Sequence, residues 1–383
     1  MSVRIDVAPP MLAWALERSG LDSDSLTKRF PRLRDWESGR TKPTVRQLEA
    51  FAQATYTPFG YFFLPEPPEE GLPVPDYRTV RDAELTRPSA NLLDTVYLSE
   101  QRQDWYRNYQ RQHGGDRLSF VGSVSPQSPA RDVAAQMTTA LGFNLDTRRR
   151  FQTWTAALTG LIEAAESIGI LVVVSGIVAS NTRRRLDPDE FRGFALNDDL
   201  APLIFVNGAD TKAAQIFTLA HELAHVWAGQ SGVDKPDLGQ VDDRSATERW
   251  CNSVAAEFLV PLESMPKALQ GPTLTQDLER LARQYKVSTL VVLRRLVDRG
   301  LLTWEQFRPA FDDELARVTD LAAQRSPGGD FYRTQPYRVS RRFARAIISD
   351  ALEGDTLYRD AYRLLGVRRH ETFQNLGEAV GVA

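Results

Sequence analysis

The stretch Ala213-Ala-Gln-Ile-Phe-Thr-Leu-Ala-His-Glu-Leu-Ala-His225 decides how this chain is read. Ala213, Ala214, Ile216, Leu219 and Ala220 recur at helical spacing and mark a largely buried helix, predicted from Thr211 to Gly229. Residues i and i+4 of a helix share one face about a turn apart. His221 and His225 therefore project together, which suits two nitrogen ligands of a tetrahedral zinc ion. Glu222 stands next to that face, where it can take a proton from a metal-bound water and pass it to a leaving amine, as the general base of peptide hydrolysis. Solvated histidines would not need so apolar a helix around them, which favours ligation over two imidazoles that merely sit a turn apart.

Working outward, the next predicted helix runs from Ser245 to Leu259 and is stopped by Pro261. A catalytic zinc site takes a third protein ligand and keeps one position open. This helix offers Glu248 and Glu257, nine residues apart. At about 100° per residue they lie on roughly opposite faces, so only one can see the metal. Glu248 is preferred, because Asn252 follows one turn later with an amide that can hydrogen-bond a histidine or carboxylate. Glu257 is then a capping or salt-bridging residue. Asp242 and Asp243 are weaker competitors, since a loop positions a ligand less firmly than a helix.

Upstream, Ile170–Val174 is a β-branched run between Gly169 and Gly176 and suits a buried strand. A second strand is expected over Leu203, Ile204, Phe205, Val206 and Asn207. It is either an exposed edge that pairs with an extended substrate over the metal or an ordinary core strand. With helices expected at Pro129–Leu141 and Trp154–Ser167, the fold class is α+β, mostly helical, a small sheet with packed helices.

The 383 residues, 42% hydrophobic and 25% charged, suffice for two or three domains and exclude a disordered or fibrous chain. A formal charge of −3 leaves no chain-wide positive field for nucleic acid or an anionic membrane. The single cysteine, Cys251, cannot form an internal disulfide, the start of the chain does not read as a signal peptide, and no apolar run is long enough to span a bilayer, so the cytoplasm is the expected compartment. The expected organisation is a small helical domain over 1–64, a proline-rich acidic linker over 65–88, a helical connector over 89–128, the metal-binding domain over 129–310 and a helical extension over 311–383. Within that domain, Leu278 to Gly300 reads as a helix-turn-helix shape, either winged-helix-like or simple helical packing.

The blocks Ala201-Pro-Leu-Ile-Phe-Val-Asn207, Gln215 to His225, Glu248-Arg-Trp-Cys-Asn252 and Ala255 to Pro261 together resemble the ImmA/IrrE family of zinc metallopeptidases. The resemblance is close from about Gln152 to Pro261 and continues loosely to about residue 310. It implies that His221, Glu222 and His225 form the metal-binding and catalytic motif and that Glu248 is the third ligand. It further implies a cytoplasmic peptidase that cleaves a regulatory protein, often a DNA-bound repressor, or one that acts beside a co-encoded toxin. The competing expectation is a non-proteolytic DNA-binding regulator or antitoxin whose metal site is structural or idle.

Trp36-Glu-Ser-Gly-Arg-Thr-Lys-Pro-Thr44, followed by Leu48, Phe51 and Ala52, resembles the end of a Cro/repressor-type helix-turn-helix domain. Seven cationic residues against two acidic ones lie between Lys28 and Arg46. Arg32, Arg34, Arg40 and Lys42 are the candidate DNA contacts within that patch. The segment from Leu26 to Trp36 is several residues shorter than that domain's recognition elements require, and Pro31 interrupts it. The domain is therefore read either as a DNA binder or as one kept for protein contact or dimerisation; an oligomer is compatible with both.

Overall fold

The computed structural model describes residues 3–76, 87–234, 246–323 and 336–382. The described residues form two compact units, one of residues up to 73 together with 87–96, the other of residues 74–76 and from 97 onward. The secondary structure is mostly helical with one small four-stranded sheet, an α+β fold.

In the first unit, α1 (Pro9–Ser19), α2 (Ser23–Arg29), α3 (Leu33–Glu37) and α4 (Val45–Ala54) surround a core of Met11, Leu12, Leu26, Leu33, Trp36, Leu48, Phe51 and Phe62. Thr44 and Gln47 close a capping box at the start of α4. The α3 helix has five residues, about 7.5 Å of helix. It is that short because Pro31 precedes it and Gly39, with φ of 70°, turns the chain away two residues after it ends.

In the second unit the sheet comprises β1 (Leu171–Ser175), β2 (Gly193–Leu196), β3 (Leu203–Asn207) and β4 (Gly232–Asp234), in the order β1-β3-β2-β4. β3 pairs parallel with β1, Leu171 opposite Leu203, and antiparallel with β2, Gly193 opposite Val206. β3 is therefore an interior strand, buried along its whole length. This corrects the expectation that Leu203, Ile204, Phe205, Val206 and Asn207 form an edge free to bind a substrate: both rows of backbone groups are already paired. β2 and β4, absent from the sequence reading, complete the sheet, with Gly193 opposite Asp234. The outer side of β4 pairs with the chain at Asp76, and the Val233 amide donates to the Pro75 carbonyl at 3.0 Å.

One face of the sheet, carrying Val172, Ala195, Ile204 and Val206, packs into a continuous core with α6 (Ala130–Leu141), α8 (Trp154–Ser167), α9 (Lys212–Ala228) and α10 (Ala246–Leu259). α11 (Leu274–Tyr285) and α12 (Thr289–Asp298) extend the same core through Leu278, Leu281, Val292 and Leu296. The opposite face carries Phe194 stacked on Phe205 at 4.9 Å. The α5 helix (Ala90–Gln112) reaches the strand ends, where the Gln103 amide donates to the carbonyls of Leu196 and Ala201 at 2.8 and 2.9 Å. Beyond α13 (Trp304–Ala323), the last helices are α14 (Arg341–Glu353), α15 (Tyr358–Leu365) and α16 (His370–Val380), and α14 lies against β1.

Two buried arginines hold the carboxyl end of α10. Arg148, between α7 (Leu145–Arg149) residues, donates to the carbonyls of Leu259, Phe258 and Tyr285. Arg295 donates to the Val260 carbonyl at 3.0 Å and pairs with Glu257. These cations satisfy helix-terminal carbonyls that have no partner within the helix. Phe194 is fully buried in the middle of the layer that carries β4. Truncating it to Ala should cost about 3–5 kcal/mol of stability, read by urea denaturation; an unchanged midpoint would show that the stacked pair is dispensable.

Candidate metal centre

Thr211 caps α9, its hydroxyl accepting from the Ala214 amide at 3.2 Å, and every residue from Gln215 to Trp227 is buried. A helix buried all round must satisfy its polar side chains internally. The titratable ones between Gln215 and Trp227 are His221, Glu222 and His225, each with no solvent exposure. The helix ends at Gly229, with φ of 71°, where a Cβ would lie 2.9 Å from the Gly122 Cα. Only glycine combines that backbone conformation with so close an approach.

The Nε2 atoms of His221 and His225 are 3.1 Å apart. Glu248, in the first turn of α10, spans both, with Oε2 3.2 Å from His221 Nε2 and Oε1 3.2 Å from His225 Nε2. Asn252, one turn further along α10, accepts through Oδ1 from His221 Nδ1 at 3.0 Å. That bond keeps a proton on Nδ1, so that once Nε2 gives up its own proton its lone pair faces the cluster. Glu257 points away from it, accepting from the Leu262 amide at 3.3 Å and pairing with Arg295.

The sequence reading did not include Asp234, at the end of β4. Its Oδ2 lies 3.1 Å from His225 Nε2 and 3.8 Å from His221 Nε2, and the residue is wholly buried. His221, His225, Asp234 and Glu248 thus present four donor atoms within 4.8 Å of one another. Cys251 groups separately with the two histidines. Asp242 and Asp243 lie outside the described residues.

The electrostatics follow from the burial. Burial alone would lower the His221 pKa, but hydrogen bonds to Asp234 and Glu248 and the Glu248 charge hold it well above the ordinary value. For His225, burial is likewise outweighed, here by Cys251 and Asp234. Glu222 is pushed well up by burial first and by the Asp234 charge second. Asp234 resists its own burial and is held far down by the two imidazoles. Neither oxygen of Glu222 has a hydrogen-bond partner among the described residues. It packs over Gly193, where a Cβ would lie 2.7 Å from Glu222 Oε1 and 2.6 Å from Thr218 Cγ2. Three carboxyl groups and two imidazoles sharing one solvent-free pocket are costly to assemble unless a cation joins them. The donor set, nitrogen and carboxylate oxygen, fits a divalent metal such as zinc.

Residues 165–297 match the peptidase family profile described as an IrrE N-terminal-like domain, a stretch running from the end of α8 to α12. Residues 339–379 match a domain of unknown function and cover most of the last three helices. No curated protein and no solved structure matches the chain significantly. The matched peptidase region contains all four candidate ligands and Glu222.

The candidate DNA contacts lie in the first unit. Arg32 and Arg34 are exposed. Arg40 pairs with Asp35 at 3.2 Å and Lys42 with Asp6 at 2.7 Å.

Metal binding needs neutral imidazoles. Because both histidines hold protons well above the ordinary range in the metal-free chain, zinc uptake at pH 7 should expel about two protons. The apparent affinity should then rise with pH through the raised imidazole range. Titration calorimetry in buffers of different ionisation enthalpy reads the proton count; zinc binding without proton release contradicts it.

Proposed function

We propose that this protein is a zinc-dependent endopeptidase that cleaves a regulatory protein, a repressor or a partner related to a co-encoded toxin. The observation that carries the reading is the convergence of His221, His225 and Glu248 from two helices on one point with Glu222 beside it; the peptidase-family match over the same residues supports it. His221, His225 and Glu248 would hold the metal, which when bound supplies Lewis-acid polarisation of a scissile carbonyl and acidifies its water. The remaining chemistry belongs to the chain. Glu222, with its proton affinity raised by burial, accepts the proton of the attacking water and returns it to the departing amine. Asn252 fixes the tautomer and the plane of the His221 ring. The apolar walls of α9 and α10 exclude bulk water, which strengthens every charge interaction inside.

One observation favours a second reading, a non-proteolytic regulator with a structural metal: the donors number four and none is more than 3% exposed. Glu222→Gln separates the two. In the peptidase reading it should lower cleavage of the partner at least 10²-fold while zinc content by mass spectrometry stays the same. A variant that still cleaves, or a cellular phenotype that survives the substitution, supports the regulator.

We also propose that the first unit contacts DNA through the exposed Arg32 and Arg34. A fragment of the protein's own promoter should shift at low salt, and the shift should vanish on reversing both charges. Absence of a shift at low salt overturns that contact and leaves protein contact as the unit's role.

A further inference from the structure

Where a zincin-type centre needs three protein ligands, this pocket provides four. We propose that Asp234 is a fourth protein ligand of the metal, closing the coordination sphere so that a water or a carbonyl oxygen enters only by displacing it. The inference rests on the metal-centre reading above and concerns how that centre is regulated.

The first argument is geometric. For bonds of about 2.0–2.1 Å to nitrogen and oxygen, the edges of a regular tetrahedron are about 3.3–3.4 Å. The donor pairs His221–His225, His221–Glu248, His225–Glu248 and His225–Asp234 are separated by 3.1, 3.2, 3.2 and 3.1 Å, and His221–Asp234 by 3.8 Å. Asp234 therefore stands as close to His225 as the three expected ligands stand to one another, and somewhat farther from His221. It does not stand at the greater distance of a group that acts through an intervening molecule.

The second argument is charge. Two neutral imidazoles and one carboxylate leave a divalent cation with a net positive charge in a pocket that excludes solvent. A second carboxylate brings the sum to zero, the state that costs least to bury. Glu222 is not one of the four residues whose donor atoms lie within 4.8 Å of one another.

The third argument is rigidity. Asp234 ends a strand rather than sitting in a free loop. Its backbone carbonyl accepts from the Arg192 amide at 2.9 Å, β2 pairs along one side of the strand, and the Pro75 carbonyl accepts from Val233 on the other. A carboxylate fixed in this way is preorganised for ligation. Cys251 is the competing donor, but it groups with the histidines apart from both carboxylates.

The test uses the full chain loaded with cobalt(II) or zinc, with azide as the probe of an open position. Asp234→Ala and the same-sized Asp234→Asn should each weaken zinc binding by more than about 100-fold, beyond what the loss of an outer hydrogen-bond partner costs. Chelator competition reads this. Azide should leave the visible spectrum of the cobalt form of the unaltered chain unchanged and shift that of the variants. X-ray absorption of the unaltered zinc form, which needs no variant to fold, should show four nitrogen or oxygen neighbours and no sulfur at about 2.3 Å. An azide response equal in the unaltered chain, zinc affinity indifferent to both substitutions, or a sulfur neighbour overturns the role of Asp234 while leaving the metal centre standing. Failure of the unaltered chain to take up either metal overturns the centre itself, and the role of Asp234 with it.

Discussion

Two imidazoles and three carboxyl groups meet where water does not reach, and the rest of the second unit is arranged around what it costs to keep them there. Burying an unpaired charge costs more than a whole domain's net stability tolerates. The pocket answers by setting His221 and His225 against Asp234 and Glu248, with Asn252 fixing one ring. Such a cluster is stable only if its members cannot drift, and each comes from an element packed on more than one side. α9 is enclosed along thirteen consecutive residues from Gln215 to Trp227. α10 is fixed at its far end by Arg148 and Arg295. β4 is paired with β2 along one side and bridged to Asp76 at Val233 on the other.

Helical periodicity made most of this legible. Spacing of four residues puts His221 and His225 on one face, and the apolar residues around them announce burial, so the centre of the site can be read without coordinates. The choice of Glu248 over Glu257 rests on the same rotation. In the structure Glu248 bridges the imidazoles, while Glu257 turns to Arg295 and the Leu262 amide at the helix end. The Leu278–Gly300 segment packs its apolar face into the common core.

Sheet pairing was not legible, and each gap in the sequence reading traces to it. β2 and β4 are four and three residues long and fully buried, so neither shows the alternation that marks a strand. Without them β3 reads equally well as an edge or as an interior strand; with them it is interior. Asp234 was hidden for the same reason. Nothing in its spacing from His225 is helical, and it reaches the cluster only because β4 pairs antiparallel with β2 and sets Asp234 opposite Gly193.

That pairing also ties together two residues that sequence reading would treat apart. Gly193 leaves the room in which the Glu222 carboxyl lies, and its cross-strand partner carries the carboxylate that raises the proton affinity of Glu222. A side chain at Gly193 would press on Glu222 and on Thr218 of the same helix, so the position of the acid and the register of β4 depend on one small residue. Glu222 and Asp234 are thus linked both by charge and by the pairing of β2 with β4. Loss of the Asp234 carboxylate would remove a negative charge from beside Glu222 and so lower the proton affinity of Glu222. The proton affinity of Glu222 and the donor set beside it would then change together, because one carboxylate contributes to both.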